Sequence, residues 1–326
     1  MVDMKLKQYL PDAMMLMLFS MILLASFFPA RGQFAAGIDQ VSVGMIALLF
    51  FMHGARLSRE AVIAGLFHWR LHLLVLSITF AVFPLLGIVL KPLLQPWLTP
   101  ELYLGVMYLC VLPSTVQSSI AFTSVARGNV PAAVCSASAS NILGIFITPV
   151  LVSLLVKTGD TGPFSWEPVL KIVNQLLLPF VAGQVLRPLL RKVVDRHSAF
   201  LKKLDQSSIL LVVYVAFSEA VVQGLWSKLP LSLIGTLLLV SALILAIIMM
   251  FAVLTSRLLG FNRADSITIL FCGSKKSLAS GVPMAKVLFA GGAAGIVLLP
   301  IMLFHQLQLM VCTVLAQRFA NQSEGE

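Results

Sequence analysis

The stretch Ile267-Thr268-Ile269-Leu270-Phe271-Cys272-Gly273-Ser274-Lys275-Lys276-Ser277-Leu278-Ala279-Ser280-Gly281-Val282-Pro283-Met284 has the length of a membrane span and carries two adjacent lysines at its centre. A lysine in the middle of a bilayer helix costs about 2.5–3.5 kcal/mol on insertion scales, so an ionisable group there indicates a functional site. The glycines, serines and proline around the pair predict a helix that is broken where the lysines lie.

The composition of the chain predicts a polytopic membrane protein. Hydrophobic residues make up 59% of the sequence and charged residues 11%, whereas soluble domains have about 25% charged residues. The four cysteines all fall in apolar runs, which predicts small buried side chains and no disulfide framework or metal site. No catalytic triad, phosphate loop or nucleotide motif occurs, so we expect a protein that is not an enzyme and has no cofactor beyond a coupling ion.

The apolar runs predict ten spans when about 20 residues make one crossing. They are 11–29, 37–53, 70–90, 102–126, 130–156, 167–189, 206–226, 229–256, 264–290 and 292–317. Fifteen lysines and arginines then lie on one side and six on the other, which predicts that both termini face the cytoplasm across the inner (plasma) membrane. Topology therefore explains the net charge of +10, and nucleic-acid binding is not needed.

The order of the predicted spans indicates an internal repeat. A polar linker, 157–166, separates a first half, 1–156, from a second half, 167–326. The fourth span of the first half contains the polar, proline-containing stretch 112–121, and the fourth span of the second half contains the lysine pair. Five spans per half make the repeats inverted, and paired interruptions at matching positions are typical of secondary-transporter sites.

Three stretches resemble the bile acid:sodium symporter superfamily. They are Ala126-Arg127-Gly128-Asn129-Val130, the serine-rich span 5 and the broken span 9. Span 9 is similar to a bacterial SBF-like branch of transporters that is related to the seventh member of the human sodium/bile acid cotransporter family. The resemblance implies inverted five-helix repeats, with broken helices 4 and 9 crossing in a core domain, about 70–156 and 229–317. It also implies a panel domain, about 11–53 and 167–226, and alternating access.

The sodium ligands that the resemblance implies are poorly kept. Ser119 matches the serine of a Ser-Asn pair, but Ile120 stands at the asparagine. Ala133 and Ala137 replace two hydroxyl residues, although Ser136 and Ser140 are close enough to suggest a weak sodium site with Ser119. In span 9 the positions of a Glu, a Gln and a neighbouring Asn hold Phe271, Lys275 and Lys276. Two cations oppose sodium there electrostatically.

The two lysines can replace the ion in either of two ways. One or both act as a fixed counter-charge for an anionic substrate, or gain and lose a proton during transport. We therefore expect a secondary transporter of a small or amphipathic organic anion, coupled to sodium, to a proton or to neither, with its oligomeric state left open. The alternative is a non-transporting regulator or sensor of ion homeostasis on the same fold. The candidate substrate- or ion-binding residues are Ser114, Thr115, Gln117, Ser118, Ser119, Ser138, Asn141, Glu219, Ser274, Lys275, Lys276 and Ser277.

Overall fold

The chain is helical through most of the residues that the computed structural model describes, which are 13–56, 68–155, 173–228, 230–289 and 293–322, and these ranges contain no strand. The helices are α1 (Ala13–Phe27), α2 (Gly32–Arg56), α3 (Trp69–Leu94), α4 (Pro100–Val111), α5 (Gln117–Val125), α6 (Val130–Leu155), α7 (Leu178–Arg196), α8 (Ser198–Val222), α9 (Leu225–Lys228), α10 (Leu231–Leu258), α11 (Arg263–Gly273), α12 (Leu278–Leu288) and α13 (Ala293–Gln322). The predicted linker 157–166 lies outside the described residues.

Several of these helices can cross a membrane. Six are long and apolar enough by length and composition, namely α2, α3, α6, α8, α10 and α13. A shorter apolar helix, α1, precedes them, and predicted spans 4 and 9 are each occupied by two short helices, α4 with α5 and α11 with α12. The described ranges are therefore all-helical, and the chain is a multi-pass membrane protein.

Local sequence explains where the short helices begin. Thr99 caps α4 because its Oγ1 accepts the Leu102 N–H at 3.4 Å, and Pro100 occupies the first turn, where no N–H is needed. Asn262 caps α11 in the same way by accepting the Asp265 N–H at 2.8 Å. Capping matters here because helices of 9–12 residues gain little from propensity alone.

The helices form two packed groups. In one group, α2 packs against α7 and α1 packs against α8; in the other, α4 and α12 pack against α13, while α11 packs against α5 and α10. The groups meet where α8 lies against α12 and α13.

The contact between α2 and α7 brings backbone against backbone. A methyl group on Gly54 would lie 2.0 Å from the Phe180 carbonyl oxygen, and one on Gly183 would lie 1.9 Å from the Phe51 carbonyl oxygen. Only glycine fits at both positions, as is common where membrane helices approach closely.

Candidate functional site

The first break separates α4 from α5. Leu112 is extended (φ −71°, ψ 154°), because the following Pro113 disfavours a helical conformation at the residue before it. Helical structure resumes at Gln117, so residues 112–116 form a non-helical segment inside apolar surroundings. Its backbone groups need partners from elsewhere in the protein, since lipid offers none.

The second break separates α11 from α12 and contains the lysine pair. Helix α11 ends at Gly273, and Ser277 starts α12 by accepting the Ser280 N–H with its Oγ at 3.2 Å. All four intervening residues, 274–277, are buried, and both lysine side chains are fully inaccessible to solvent.

The two breaks contact one another directly. The Ser277 N–H donates to the Pro113 carbonyl at 2.8 Å, and the Ser114 hydroxyl donates to the Cys272 carbonyl at 2.6 Å. The Ser119 hydroxyl donates to the Phe271 carbonyl at 3.1 Å. Each break therefore satisfies polar backbone groups of the other.

Helix α6 adds a bridge across both breaks. The Asn141 amide donates to the Ser114 carbonyl at 2.8 Å and accepts from the Ser280 hydroxyl at 2.6 Å. At the preceding residue, Ser140 Oγ accepts the Ser114 N–H at 3.0 Å. A single side chain, that of Asn141, thus joins α6 to the first break and to the beginning of α12.

Lys276 is completely coordinated. Its Nζ donates to the carbonyls of Thr79, Cys110 and Leu112 at 2.7, 2.8 and 2.7 Å, and it lies 4.0 Å from the centre of the Phe83 ring. An ammonium has three N–H groups, so every donor is used. These three partners are backbone oxygens, and no carboxylate is among them.

Lys275 occupies a different environment although it is the adjacent residue. Its Nζ lies 3.8 Å from the centre of the Phe122 ring and 5.9 Å from that of Phe271, and it has no hydrogen-bond partner within the described part of the chain. The ring face is favourable for a cation but does not replace a hydrogen-bond acceptor. Every N–H of the Lys276 ammonium therefore has an acceptor, whereas the Lys275 ammonium has none among the described residues.

A third lysine links the two groups of helices. Lys286 of α12 lies 3.0 Å from an oxygen of Asp39 in α2 and 3.1 Å from an oxygen of Glu219 in α8. Glu219, a candidate site residue, thus pairs with a lysine on α12 beyond the break.

The turn between α5 and α6 is tied to α11. Asn129 Nδ2 donates to Asp265 at 2.7 Å, and the Asn129 backbone N–H donates to Thr268 Oγ1 at 3.0 Å. A methyl group on Gly128 would lie 2.8 Å from Ile267 Cγ2. The turn Arg127-Gly128-Asn129 therefore holds the end of α5 against the beginning of α11.

The remaining candidate residues divide by exposure. Gln117 is exposed, and Ser118, Ser138 and Asn141 are half-buried. Ser114, Thr115, Ser119, Ser274 and Ser277 are buried, and Thr115 Oγ1 lies within hydrogen-bond distance of Ser118 Oγ and Ser119 Oγ, at 2.8 and 2.9 Å.

The serines of the suggested sodium site have protein partners. Ser136 Oγ lies 2.6 Å from His72 Nδ1, Ser140 Oγ accepts the Ser114 N–H, and Ser119 Oγ donates to the Phe271 carbonyl. Ser119 Oγ also lies 2.9 Å from Thr115 Oγ1, so the hydroxyls have separate partners and none contacts another of the three in the described structure.

Several contact residues were not among the candidate site residues, namely Thr79, Phe83, Cys110, Phe122, Ser280 and Gln308. Gln308 of α13 accepts the Lys276 N–H at 2.9 Å and donates to the Lys276 carbonyl at 3.0 Å. The spacing of Ser277 and Ser280 indicates that Ser277 caps a helix by accepting the Ser280 N–H, but it does not indicate that the Ser280 hydroxyl donates to Asn141. Nothing in the sequence around Thr79 indicates that its carbonyl binds a lysine.

Long apolar helices around two interrupted pairs, whose breaks meet and enclose charge, are characteristic of a membrane transporter. The model of the SBF-like CPA transporter family matches residues 12–321, so the chain belongs to that family.

Curated relatives agree with this assignment. The chain is 58% identical over 319 residues to an uncharacterised protein of Pseudomonas aeruginosa, covering 97% of this chain and 95% of the relative. It is 54% identical over 313 residues to the "Putative symporter YfeH" of Escherichia coli K12, covering 96% and 94%. It is also 28% identical over 287 residues to sodium/bile acid cotransporter 7 of Danio rerio, covering 86% and 84%.

Proposed function

We propose that the chain is a secondary active transporter that carries a small or amphipathic organic anion across the inner membrane by alternating access, with both termini in the cytoplasm. The observation that carries this proposal is the meeting of two helix breaks around Lys275 and Lys276. The names of two relatives, a symporter and a sodium/bile acid cotransporter, support the same class of activity.

The electrostatic charge where the two breaks meet favours an anion. Neither break, 112–116 or 274–277, contains an acidic residue, whereas the second contributes two lysines. The beginning of α12 adds the partial positive charge of a helix amino terminus. A negatively charged solute would compensate this potential.

The solute would contact the exposed side of the region where the two breaks meet. Gln117, Ser118, Asn141 and Ser280 present amides and hydroxyls there, while both lysines lie behind them without solvent contact. In this arrangement the polar side chains orient the solute and the lysines act through their electrostatic field.

The two groups of helices would be the moving parts. The panel comprises α1, α2, α7 and α8, and the core comprises α3–α6 and α10–α13. Inverted repeats in 1–156 and 167–326 would each contribute helices to both domains. Packing of α2 on α7 and of α4 on α13 supports this division. The contacts of Lys286 with Asp39 and Glu219 cross the boundary, so movement of the core against the panel would break them.

The coupling ion is proposed to be sodium or a proton. Sodium is supported by the family and by the hydroxyls of Ser119, Ser136 and Ser140, whose oxygens keep a lone pair for an ion beside the hydrogen bonds they make. A proton is supported by Lys275, which has no hydrogen-bond partner in the described structure, because an unpaired buried ammonium is far more costly than an unpaired buried amine.

Uptake into proteoliposomes tests the proposal. Labelled organic anions, beginning with a bile acid because of the relatives' name, are offered under an imposed sodium gradient, pH gradient or membrane potential. We expect uptake above that of protein-free liposomes under one of the gradients, and a smaller uptake with Asn141→Asp. Failure of every anion under every gradient would refute transport and favour the regulator or sensor on the same fold.

A further inference from the structure

We propose that the Lys276 ammonium is a tethered monovalent cation in a site built from three backbone carbonyls, and that shortening this side chain leaves a site for a free cation of ammonium size. The site is formed by the carbonyl oxygens of Thr79, Cys110 and Leu112 and the ring of Phe83.

Local structure explains why the Thr79 carbonyl is available. Residues Ile78–Val82 form a π turn within α3, and the Phe83 N–H consequently donates to the Ile78 carbonyl. The next residue, Pro84, has no N–H to offer. The Thr79 carbonyl therefore has no helical donor and points to an external one.

The end of α4 supplies the other two oxygens. The last carbonyls of a helix have no partner within it. In α4 the Leu109 carbonyl accepts from the Leu112 N–H and the Val111 carbonyl accepts from the Thr148 hydroxyl. Cys110 and Leu112 are left for Lys276, at a helix end that favours positive charge.

The geometry suits a free cation as well as a lysine. Backbone carbonyl oxygens replace the hydration shell of potassium in channel filters. The distances of 2.7–2.8 Å from Nζ to its three oxygens exceed the calcium–oxygen distance of about 2.3–2.6 Å. Ammonium, methylammonium and potassium are therefore better matched than a smaller ion.

Lys275 provides a matched control within the same turn of chain. It is equally buried and equally close to an aromatic ring, at 3.8 Å from that of Phe122, but no carbonyl of the described residues accepts a hydrogen bond from it. Removal of its side chain should leave no site for a cation. The inference does not depend on the solute carried, so transport assays and the following experiment can fail separately.

The experiment compares melting temperatures of wild type, Lys276→Ala, Lys276→Met and Lys275→Ala in detergent. Each protein is measured in choline, sodium, potassium, ammonium and methylammonium chloride at equal ionic strength. We expect Lys276→Ala to melt below wild type in choline chloride and to shift upward by several degrees, saturably, in ammonium or methylammonium. Wild type and Lys275→Ala should show no such selective shift, and Lys276→Met, which fills the space without charge, should stay low in every salt.

Two results would overturn the proposal. One is a Lys276→Met variant as stable as wild type, which would show that the carbonyls need no cation. The other is a Lys276→Ala variant whose melting temperature is the same in all five salts. If this variant does not fold in choline, it is purified in methylammonium chloride instead: recovery of monodisperse protein supports the proposal, and absence of folded protein in every salt counts against it.

Discussion

Replacement of Asn141 should weaken the contact between the two breaks. Its amide makes one hydrogen bond to the Ser114 carbonyl and one to the Ser280 hydroxyl, at 2.8 and 2.6 Å. Asn141→Ala removes both. Asn141→Asp keeps an acceptor for Ser280 but replaces the donor to Ser114 with an oxygen.

The structure sets the size of the effect. Ser280 is half-buried and can bond to water, whereas Ser114 is fully buried and its carbonyl would lose a partner. An unsatisfied buried acceptor costs about 1–3 kcal/mol, and each lost hydrogen bond about 0.5–1.5 kcal/mol. We therefore expect Asn141→Ala to lower the free energy of unfolding by about 2–4 kcal/mol, and Asn141→Asp by more, since a carboxylate would face a carbonyl oxygen.

Acidification should separate the two variants. When the carboxylate introduced by Asn141→Asp is protonated, it carries an O–H that can donate to the Ser114 carbonyl. This variant should therefore regain stability relative to wild type as the pH falls, whereas Asn141→Ala should not. Thermal unfolding in detergent and uptake into proteoliposomes are measured for both. Ser138→Ala, at a half-buried position nearby on α6, is the control and should change stability by no more than about 0.5 kcal/mol.

Two outcomes would refute this reasoning. If Asn141→Ala melts at the same temperature as Ser138→Ala and supports uptake at the wild-type rate, the amide does not hold the two breaks together. An Asn141→Asp variant that becomes less stable on acidification, relative to wild type, would contradict the assigned direction of the Ser114 hydrogen bond.

Three further predictions concern other parts of the molecule. Gly54→Ala should lower stability by about 2–3 kcal/mol through overpacking against α7. Gly44→Ala in the same helix has no atom within 4 Å of the added carbon and should raise stability slightly. Equal melting temperatures of the two variants would argue against the backbone contact. Lys286→Met should cost less than about 1 kcal/mol, because its two carboxylate partners are partly exposed (44% and 33%), yet should change the rate of uptake. Lys275→Met should leave the melting temperature unchanged or higher, since no hydrogen bond is lost, and should alter the pH profile of uptake. A large drop in the melting temperature would instead show that Lys275 has a partner that the structure does not contain.

Much of the fold could be predicted from the sequence because lipid restricts the choice. Long apolar runs must be helical to satisfy their backbone, so the class of the protein follows from hydropathy alone. The stretch around Pro113 and the Gly273-Ser274 pair also indicated where helices are interrupted, since proline and glycine act on their own neighbours. These are local effects, and a single sequence contains them.

The roles of the two lysines could not be predicted, because they depend on residues far away in the chain. Lys276 is bound through a π turn in α3 and through the end of α4, and these carbonyls belong to the backbone, which every residue type possesses. The pairing of Glu219 with Lys286 likewise depends on the packing of α8 against α12. The sequence showed that two charges are buried, but adjacent identical residues provided no means of telling the bound one from the unpartnered one.

The coordination of Lys276 has a thermodynamic consequence for energy conversion. An ion that moves down its electrochemical gradient performs work because it enters from one compartment and leaves to the other. The ammonium between Thr79, Cys110 and Leu112 is covalently part of the chain, so it crosses no gradient and its occupancy does not vary with the salinity of either compartment. While the ammonium keeps its proton, this position can therefore maintain the arrangement of the two breaks but cannot supply driving force, and the energy for uphill movement of a solute has to enter through other groups.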